Sequence, residues 1–154
     1  MSTISHNGGS GGHRAMSRQP YVLEEIIDFA EVAGDVTIGT SDIVQVLKVP
    51  SNSFVSSCGY QILTAETVNT STQVALGDGG DIDRWVAATT ISTAAFSAPA
   101  ATTSALGFTY TSSDTIDLVI SVDDPTNAVL RVWAVVQDLT PLATADYKTY
   151  TSAA

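Results

Sequence analysis

The chain has 154 residues, about the length of one domain, and its 16 acidic and six basic residues give a formal net charge of −10. A chain of this length buries roughly two thirds of its unfolded surface without disulfides or metals. The charge argues against nucleic acid as a partner, because neutralising phosphates needs clustered Lys and Arg. Charged residues make up only 14% of the sequence, and a polar surface rich in Ser and Thr suits strands better than helices. The composition favours an all-β class.

The side chains that most enzymes use for proton transfer are missing from the part of the chain that can fold. Both histidines, His6 and His13, lie near the N-terminus, and Cys58 is the single cysteine. No phosphate-binding glycine loop, zinc cluster or Ser/His/Asp set is present. The acidic run from Glu24 to Glu31 is interpreted as a solvated rim, as most charge runs are. We therefore predict that the protein is not an enzyme and needs no cofactor.

Cys58 also bears on the compartment in which the protein folds. A lone cysteine cannot make an internal disulfide, so the fold must be stable in a reducing compartment. Beside Gly59 in an apolar stretch, Cys58 is predicted to be a small buried residue. The first twenty residues lack the hydrophobic core of a signal peptide, and no run approaches the roughly eighteen apolar residues of a membrane span. We expect a protein made in the cytoplasm that does not enter a membrane.

Residues 1–19 differ in character from the rest of the chain. They contain four glycines, both histidines, Arg14 and Arg18, and no acid. Such a composition cannot bury enough apolar area to offset the entropy of ordering it, so we predict a flexible basic arm followed by a domain over 20–154. The arm carries about +2, which leaves 16 acids against 4 bases, or −12, on the domain. An arm of opposite sign can lie along its own domain or a neighbouring copy; a leader without function is the alternative.

The domain is a succession of strand patterns separated by turn residues. The first pattern satisfies helical as well as strand spacing, and we favour a strand. A bulge is predicted at Cys58–Gly59, and residues 89–106 are predicted to form a long surface loop anchored by Ile91 and Phe96. In the pattern over 115–122, the even-numbered residues are expected to face the core and the odd-numbered residues to face out. Strands are predicted over Tyr21–Phe29, Asp42–Val49, Phe54–Thr64, Thr72–Leu76, Ile82–Ala88, Thr115–Val122 and Val129–Leu139. About eight strands at this spacing predict a two-sheet antiparallel sandwich of the jelly-roll type.

The last pattern, Val129–Leu139, is apolar on both faces. Its even-numbered residues from Leu130 to Val136 fill one face, and Val129, Trp133 and Val135 lie on the other. A strand of this kind must be covered on both sides, by the second sheet on one side and by a loop or another subunit on the other. We predict another subunit. The predicted oligomer interface consists of Val129, Arg131, Trp133 and Val135.

One loop is the strongest candidate for a chemical site. Asp78, Asp81 and Asp83 alternate along a glycine-bent segment, where carboxylates could converge on a hard cation such as calcium. The segment lacks the distal glutamate of an EF-hand loop and the nine-residue repeat of calcium-binding β-rolls. We favour a charged hairpin loop and predict no metal, with these three residues as the alternative calcium ligands.

Three stretches resemble a known family. They are "SDIVQVLKVPSNSFV" after Gly34-Asp35, "VALGDGGDIDRWVAA", and "LRVWAVVQDL" near the end. They are similar to phrases in small β-sandwich proteins from the structural gene clusters of tailed bacteriophages, which act as capsid decoration, or cement, proteins. The match covers about Tyr21 to Thr140 and is a pattern of strand and loop phrases. The resemblance implies a jelly-roll domain that forms trimers on the outer capsid surface of the virion and clamps adjacent major capsid protein subunits.

Two further hypotheses concern binding. Arg14 and Arg18 of the arm are predicted to contact acidic groups of the capsid or of a neighbouring copy. The alternative function is a host-recognition or carbohydrate-binding module of a phage tail or fibre, in which Tyr60, Trp85 or Tyr110 would offer an aromatic platform to a sugar. Core packing is the ordinary role of such rings, and we favour it.

Overall fold

The computed structural model of the chain describes residues 19–31, 38–97 and 106–140. Residues 29–31 form one helical turn after the first strand. The same part of the chain contains nine strands, β1 (Tyr21–Asp28), β2 (Ile43–Val49), β3 (Ser53–Thr64), β4 (Gln73–Asp78), β5 (Asp81–Thr90), β6 (Phe96–Ser97), β7 (Phe108–Tyr110), β8 (Asp114–Val122) and β9 (Val129–Asp138).

The strands form two antiparallel sheets that make a sandwich. Sheet 1 has the order β1-β9-β3-β6, with β7 also paired to β3, and sheet 2 has the order β2-β8-β4-β5. The chain passes from one sheet to the other between β1 and β2, β2 and β3, β3 and β4, β5 and β6, β7 and β8, and β8 and β9. This order is that of a jelly roll. The predicted all-β class and jelly-roll sandwich are confirmed.

The core lies between the sheets and is built from alternate residues of the central strands. Leu130 and Val132 of β9 and Leu118 and Ile120 of β8 are completely buried in one apolar cluster. Burying a side chain of this size stabilises the fold by about 1.5–3 kcal/mol. Cys58 belongs to the same cluster, and its burial raises the pKa of the thiol. The prediction that Cys58 is a small buried residue is confirmed.

The predicted bulge in β3 is at the wrong place. The pairing of Cys58–Gly59 with β9 is regular, and the register shifts instead between Val55 and Ser57 and between Ile62 and Thr64. β3 has 12 residues and its partner β9 has 10. The two extra residues are accommodated near the two ends of β3, so that the centre of the sheet stays regular.

β8 follows its predicted alternation in part. The even-numbered residues from Ile116 to Ile120 are buried as expected, but Val122 is exposed because it lies beyond a register shift in the pairing with β4. On the other face, Asp117 and Val119 are buried although they were expected to face solvent. The side of sheet 2 that faces away from the core is therefore covered at its centre.

The covering segment next to Asp117 is a bulge in β5. Residues 82–85 stand opposite the single residue Gly77 of β4, and a Cβ on Gly77 would overlap the backbone of Asp81 and Ile82. Gly77 also pairs with Asp117 of β8. Burial raises the pKa of Asp117, whose Oδ1 atom accepts no hydrogen bond. Only a glycine at position 77 leaves room for the bulged segment of β5 to lie this close to β4.

A buried carboxylate, Asp78, joins the two sheets at one end of the sandwich. It ends β4 of sheet 2, and its Oδ2 accepts a 2.7 Å hydrogen bond from the hydroxyl of Tyr110, which lies in β7 of sheet 1. The same oxygen accepts a 2.5 Å hydrogen bond from Nε of Arg84, and Oδ1 accepts the backbone N–H groups of residues 80 and 81. The Arg84 guanidinium lies 3.7 Å from the centroid of the Phe108 ring. Asp78 is thus held by an ion pair and by hydrogen bonds, and the guanidinium that pairs with it also contacts an aromatic ring.

Glu66 has a similar role at the opposite end. It is completely buried after the end of β3, and Oε1 accepts the backbone N–H groups of Val68 and Asn69 and the hydroxyl of Thr126. Oε2 accepts the backbone N–H groups of residues 126–128. Burial alone would raise the pKa of Glu66, but the hydrogen bonds from residues 126 and 127 outweigh it and lower the pKa to about 2. One carboxylate therefore joins the β3–β4 and β8–β9 loops, both of which connect the two sheets.

The bridge from Tyr110 to Asp78 can be tested by removing the hydroxyl. Tyr110→Phe should lower the free energy of unfolding by about 1.5–3 kcal/mol, the usual contribution of a hydrogen bond to a charged group. Urea denaturation measures the loss, and Tyr21→Phe, at a partly exposed tyrosine, is the matched control with an expected change within about 0.5 kcal/mol. Equal losses in the two variants would show that the bridge does not stabilise the fold.

The Glu66 carboxylate should make stability depend on pH. Its pKa falls from 4.5 to about 2 on folding, so its contribution is complete above about pH 4.5 and is lost as the pH falls towards 2. Glu66→Gln should lower the free energy of unfolding at pH 7 by about 3 kcal/mol. The difference from the wild type should shrink between pH 4.5 and 2. Glu31→Gln, at an exposed position, is the control, and a Glu66→Gln effect that is constant with pH would contradict this account.

Candidate interaction surface

The side of sheet 1 that faces away from the core carries an apolar surface formed by β1 and β9. Along β9, even-numbered residues are buried and odd-numbered residues are half-buried. The pairing register places Val22 opposite Val135, Glu24 opposite Trp133 and Ile26 opposite Arg131. Val22 and Ile26 are each 57% exposed. We call this surface the outer face; it consists of Val22, Glu24, Ile26, Val129, Arg131, Trp133 and Val135.

An ion pair lies in the middle of the outer face. Nε and Nη2 of Arg131 donate hydrogen bonds of 3.0 and 2.7 Å to Oε2 of Glu24. Both side chains are about half exposed, and exposed pairs of this kind contribute no more than about 1 kcal/mol. The pair's main effect is on charge. Because Arg131 and Glu24 neutralise each other, the apolar residues around them form a surface with little net charge.

Sequence reasoning identified part of this surface. The structure places all four predicted interface residues, Val129, Arg131, Trp133 and Val135, on the same outward side of β9. Their contact with another subunit stays a prediction. The contribution of β1 was missed: its strand was predicted, but pairing between β1 and β9 joins residues more than a hundred positions apart, and no local pattern signals that pairing. Arg14 and Arg18 lie outside the described residues.

The three aromatic residues considered as a sugar platform are all buried. Tyr60, Trp85 and Tyr110 belong to the core cluster between the sheets. Tyr110 also packs edge-on against Phe108, with ring centroids 4.9 Å apart, and donates its hydroxyl to Asp78. The hypothesis that they form an exposed carbohydrate platform is therefore wrong, because their rings are packed between the two sheets. Core packing is confirmed.

The candidate calcium ligands point to different places. The β4–β5 connection is a two-residue turn, Gly79-Gly80, between the paired residues Asp78 and Asp81. Asp78 is buried and its carboxylate is used by Arg84 and by Tyr110, whereas Asp81 and Asp83 are exposed. Within residues 19–31, 38–97 and 106–140, no three His, Cys, Asp or Glu side chains are grouped so that they could hold a metal ion. Asp78 acts inside the fold, joining the sheets.

Two open cavities lie on the described surface. One of about 250 Å³ is lined by Gln45, Lys48, Ser113, Asp114 and Thr115. The other, of about 310 Å³, is lined by Tyr21, Pro50, Ser51, Ser53, Asp138 and Thr140. Neither lining contains a histidine or a cysteine. No helix in the described ranges is long and apolar enough to cross a membrane.

No protein-family model matches the chain, and no curated protein matches it in sequence. Solved structures of bacteriophage capsids do match it in fold. The cyanophage Pam1 capsid asymmetric unit contains a similar chain, with a TM-score of 0.61 and 16% identity over 90% of this chain and 92% of that one. The fold is one that occurs in phage capsids.

Two further capsids give the same result. A chain of the Ralstonia phage GP4 capsid has a TM-score of 0.61 and 10% identity over 92% of both chains. A chain of the acidic stable capsid of Helicobacter pylori bacteriophage KHP30 has a TM-score of 0.51 and 14% identity over 75% of this chain and 86% of that one. At identities of 10–16% the likeness establishes a common fold. It extends over nearly the whole chain in two of the three comparisons.

Calcium should have no effect on this protein. Because Arg84 and Tyr110 occupy Asp78, the β4–β5 turn offers too few carboxylate oxygens for a stable site. Adding millimolar calcium should leave the melting temperature unchanged within about 1 °C, since a ligand that does not bind the native state does not stabilise it. A rise that chelator reverses, and that Asp81→Asn removes, would restore the metal-site hypothesis.

Proposed function

We propose that the protein is a structural component of a tailed-bacteriophage virion, a decoration or cement protein that binds the outer surface of the capsid. The observation that carries the proposal is the jelly-roll fold, which matches chains of the Pam1 and GP4 capsids over about nine tenths of their length. The phrases that resemble phage decoration proteins fall in β2, β3, β4, β5 and β9. They therefore lie in strands of both sheets.

The proposed oligomer is a trimer whose copies meet through the outer face. Trp133 and its apolar neighbours are only half-buried in a single copy, and aromatic residues are enriched at the centres of protein interfaces. The Glu24–Arg131 pair is already matched in charge, so burying it between copies leaves no isolated ion. A self-complementary or cyclic contact can use such a surface on every copy.

The capsid is the second proposed partner. Major capsid protein subunits would be clamped by many weak contacts, and contacts repeated around a closed shell act by avidity. Arg14 and Arg18 are proposed to reach acidic groups of the capsid or a neighbouring copy. This is a binding role without catalysis, and it agrees with the use of Glu66 and Asp78 as structural carboxylates. A carbohydrate-binding role has less support, because the rings that would serve it are buried.

Binding to capsids lacking the protein, measured by co-sedimentation, tests the proposal. The wild-type protein should sediment with the particles, and its mass in solution should be three times the 16.0 kDa of one chain. Trp133→Ser should reduce both the oligomer mass and the particle affinity, the latter at least about tenfold, because hot-spot aromatics contribute 2 kcal/mol or more. Deleting residues 2–19 should weaken particle binding while the sandwich stays folded.

The matched control is Ile82→Ser, which changes an exposed apolar residue of sheet 2 and should alter neither property. Unfolding midpoints of both variants should stay close to that of the wild type. A monomeric wild-type protein that is absent from assembled virions would overturn the proposal.

A further inference from the structure

β1 is a regular sheet edge with one unpaired side. It pairs with β9 over all eight residues without a register shift, and no other strand of the described chain pairs with it. The pairings of the edge strands β2 and β5 are interrupted by register shifts. Such irregularities protect an edge, whereas a regular edge is a template for an added strand. The backbone of β1 is therefore suited to accept one more strand.

The side chains of β1 restrict which strand can be added. On the outer side, apolar and acidic residues alternate as Val22, Glu24, Ile26 and Asp28. Glu25, on the other side, is also exposed. A second copy of β1 paired antiparallel about its centre would set Glu24 against Glu24 or Glu25 against Glu25, since paired residues share a face, and like charges directly opposite are unfavourable. The matching strand needs basic residues four positions apart with an apolar residue between them.

The N-terminal arm has this pattern. Arg14, Met16 and Arg18 have the spacing of Asp28, Ile26 and Glu24 read in the opposite direction, and residues 1–19 contain no acid. We propose that residues 14–18 of a second copy pair antiparallel with β1 and add a strand to sheet 1. In this register Arg14 lies opposite Asp28, Met16 opposite Ile26, and Arg18 opposite Glu24. The added strand covers the exposed Ile26, brings Arg14 to the carboxylate of Asp28, and places Arg18 beside the Glu24–Arg131 pair.

The register requires a second copy. Within one chain it would place Pro20 opposite Val22 and leave Tyr21 alone to reverse the chain, whereas the shortest common hairpin loop has two residues. Shifting the register to lengthen the loop separates at least one arginine from its acid. Gln19 and Pro20 join Arg18 to the start of β1, and this link spans at most about 10 Å when extended, so the second copy must place its β1 beside the first residues of this β1. This inference rests on the proposed function, because it describes how copies in that oligomer are joined.

Cross-linking between two distinguishable full-length chains tests the inference. One chain carries Met16→Cys, and the other carries Ile26→Cys and an affinity tag; the two are co-expressed and mildly oxidised. A disulfide-linked pair containing both chains is expected on a non-reducing gel. Native Cys58 does not compete, because it is buried and burial raises the pKa of its thiol. Asp83→Cys, at an exposed site in β5, replaces Ile26→Cys as the control and should give at most a tenth of the cross-link.

Charge exchange tests the register. Adding Arg14→Asp to the Met16→Cys chain should reduce cross-linking at least tenfold, and adding Asp28→Arg to the Ile26→Cys chain should restore it. A Met16→Cys/Ile26→Cys double variant that closes only within its own chain would overturn the inference, as would a cross-link to the major capsid protein instead. If the oligomer binds capsids without any arm cross-link, the inference fails and the proposed function stands. If the arms cross-link but no capsid is bound, the proposed function fails and arm exchange stands.

Discussion

The arrangement of this protein depends on a constraint on one central strand, β9, which is apolar on both faces although sheet 1 has only one core to face. Its even-numbered residues face sheet 2 and belong to the buried apolar cluster of the core. Its odd-numbered residues, with Trp133 in the middle, lie on the opposite side of sheet 1, between β1 and β3. Water disfavours apolar area of this kind. The folded chain therefore has an exposed apolar surface that is suited to further association.

The two ends of the sandwich are held by buried carboxylates. Each acid is stabilised by donors that the rest of the fold supplies: Tyr110 and Arg84 for Asp78, and backbone N–H groups from two loops for Glu66. A buried charge is costly unless its hydrogen bonds are satisfied. The same acids therefore specify one arrangement of the loops, because a different arrangement would leave a carboxylate without donors. This explains how a chain with one buried cysteine builds defined ends.

Much of the fold could be predicted from the sequence because alternation is a local signal. The strands over Asp42–Val49, Thr115–Val122 and Val129–Leu139 were recognised within a few residues, and their number indicated the jelly roll. β7 was missed because it has only three residues. The bulges were misplaced because they depend on the relative lengths of paired strands, which no single strand shows. Burial of Asp117 was missed for the same reason, since its cover comes from β5.

The candidate surface was predictable only in its β9 half. Val129, Trp133 and Val135 are odd-numbered residues of a strand whose even-numbered residues are also apolar. This pattern can be recognised in the sequence alone. Val22 and Ile26 join them through a pairing that only the folded chain reveals. The acidic loop was misleading for a related reason. Three aspartates close in sequence suggested a shared ligand, but the strand alternation and Arg84 send Asp78 to the interior while Asp81 and Asp83 stay outside.

The Glu66 network also has a consequence for the order in which the chain folds. Its donors at Thr126 and Asn127 are about sixty residues away along the chain, and they follow β8 in the sequence. Until these donors are in place the carboxylate is hydrated and the crossing from β3 to β4 has no fixed path. Contacts of such long sequence separation slow folding, because the entropy of loop closure is lost before the contacts form. That end of the sandwich is therefore assembled late, and nascent chains stay open there until most of the domain has been synthesised.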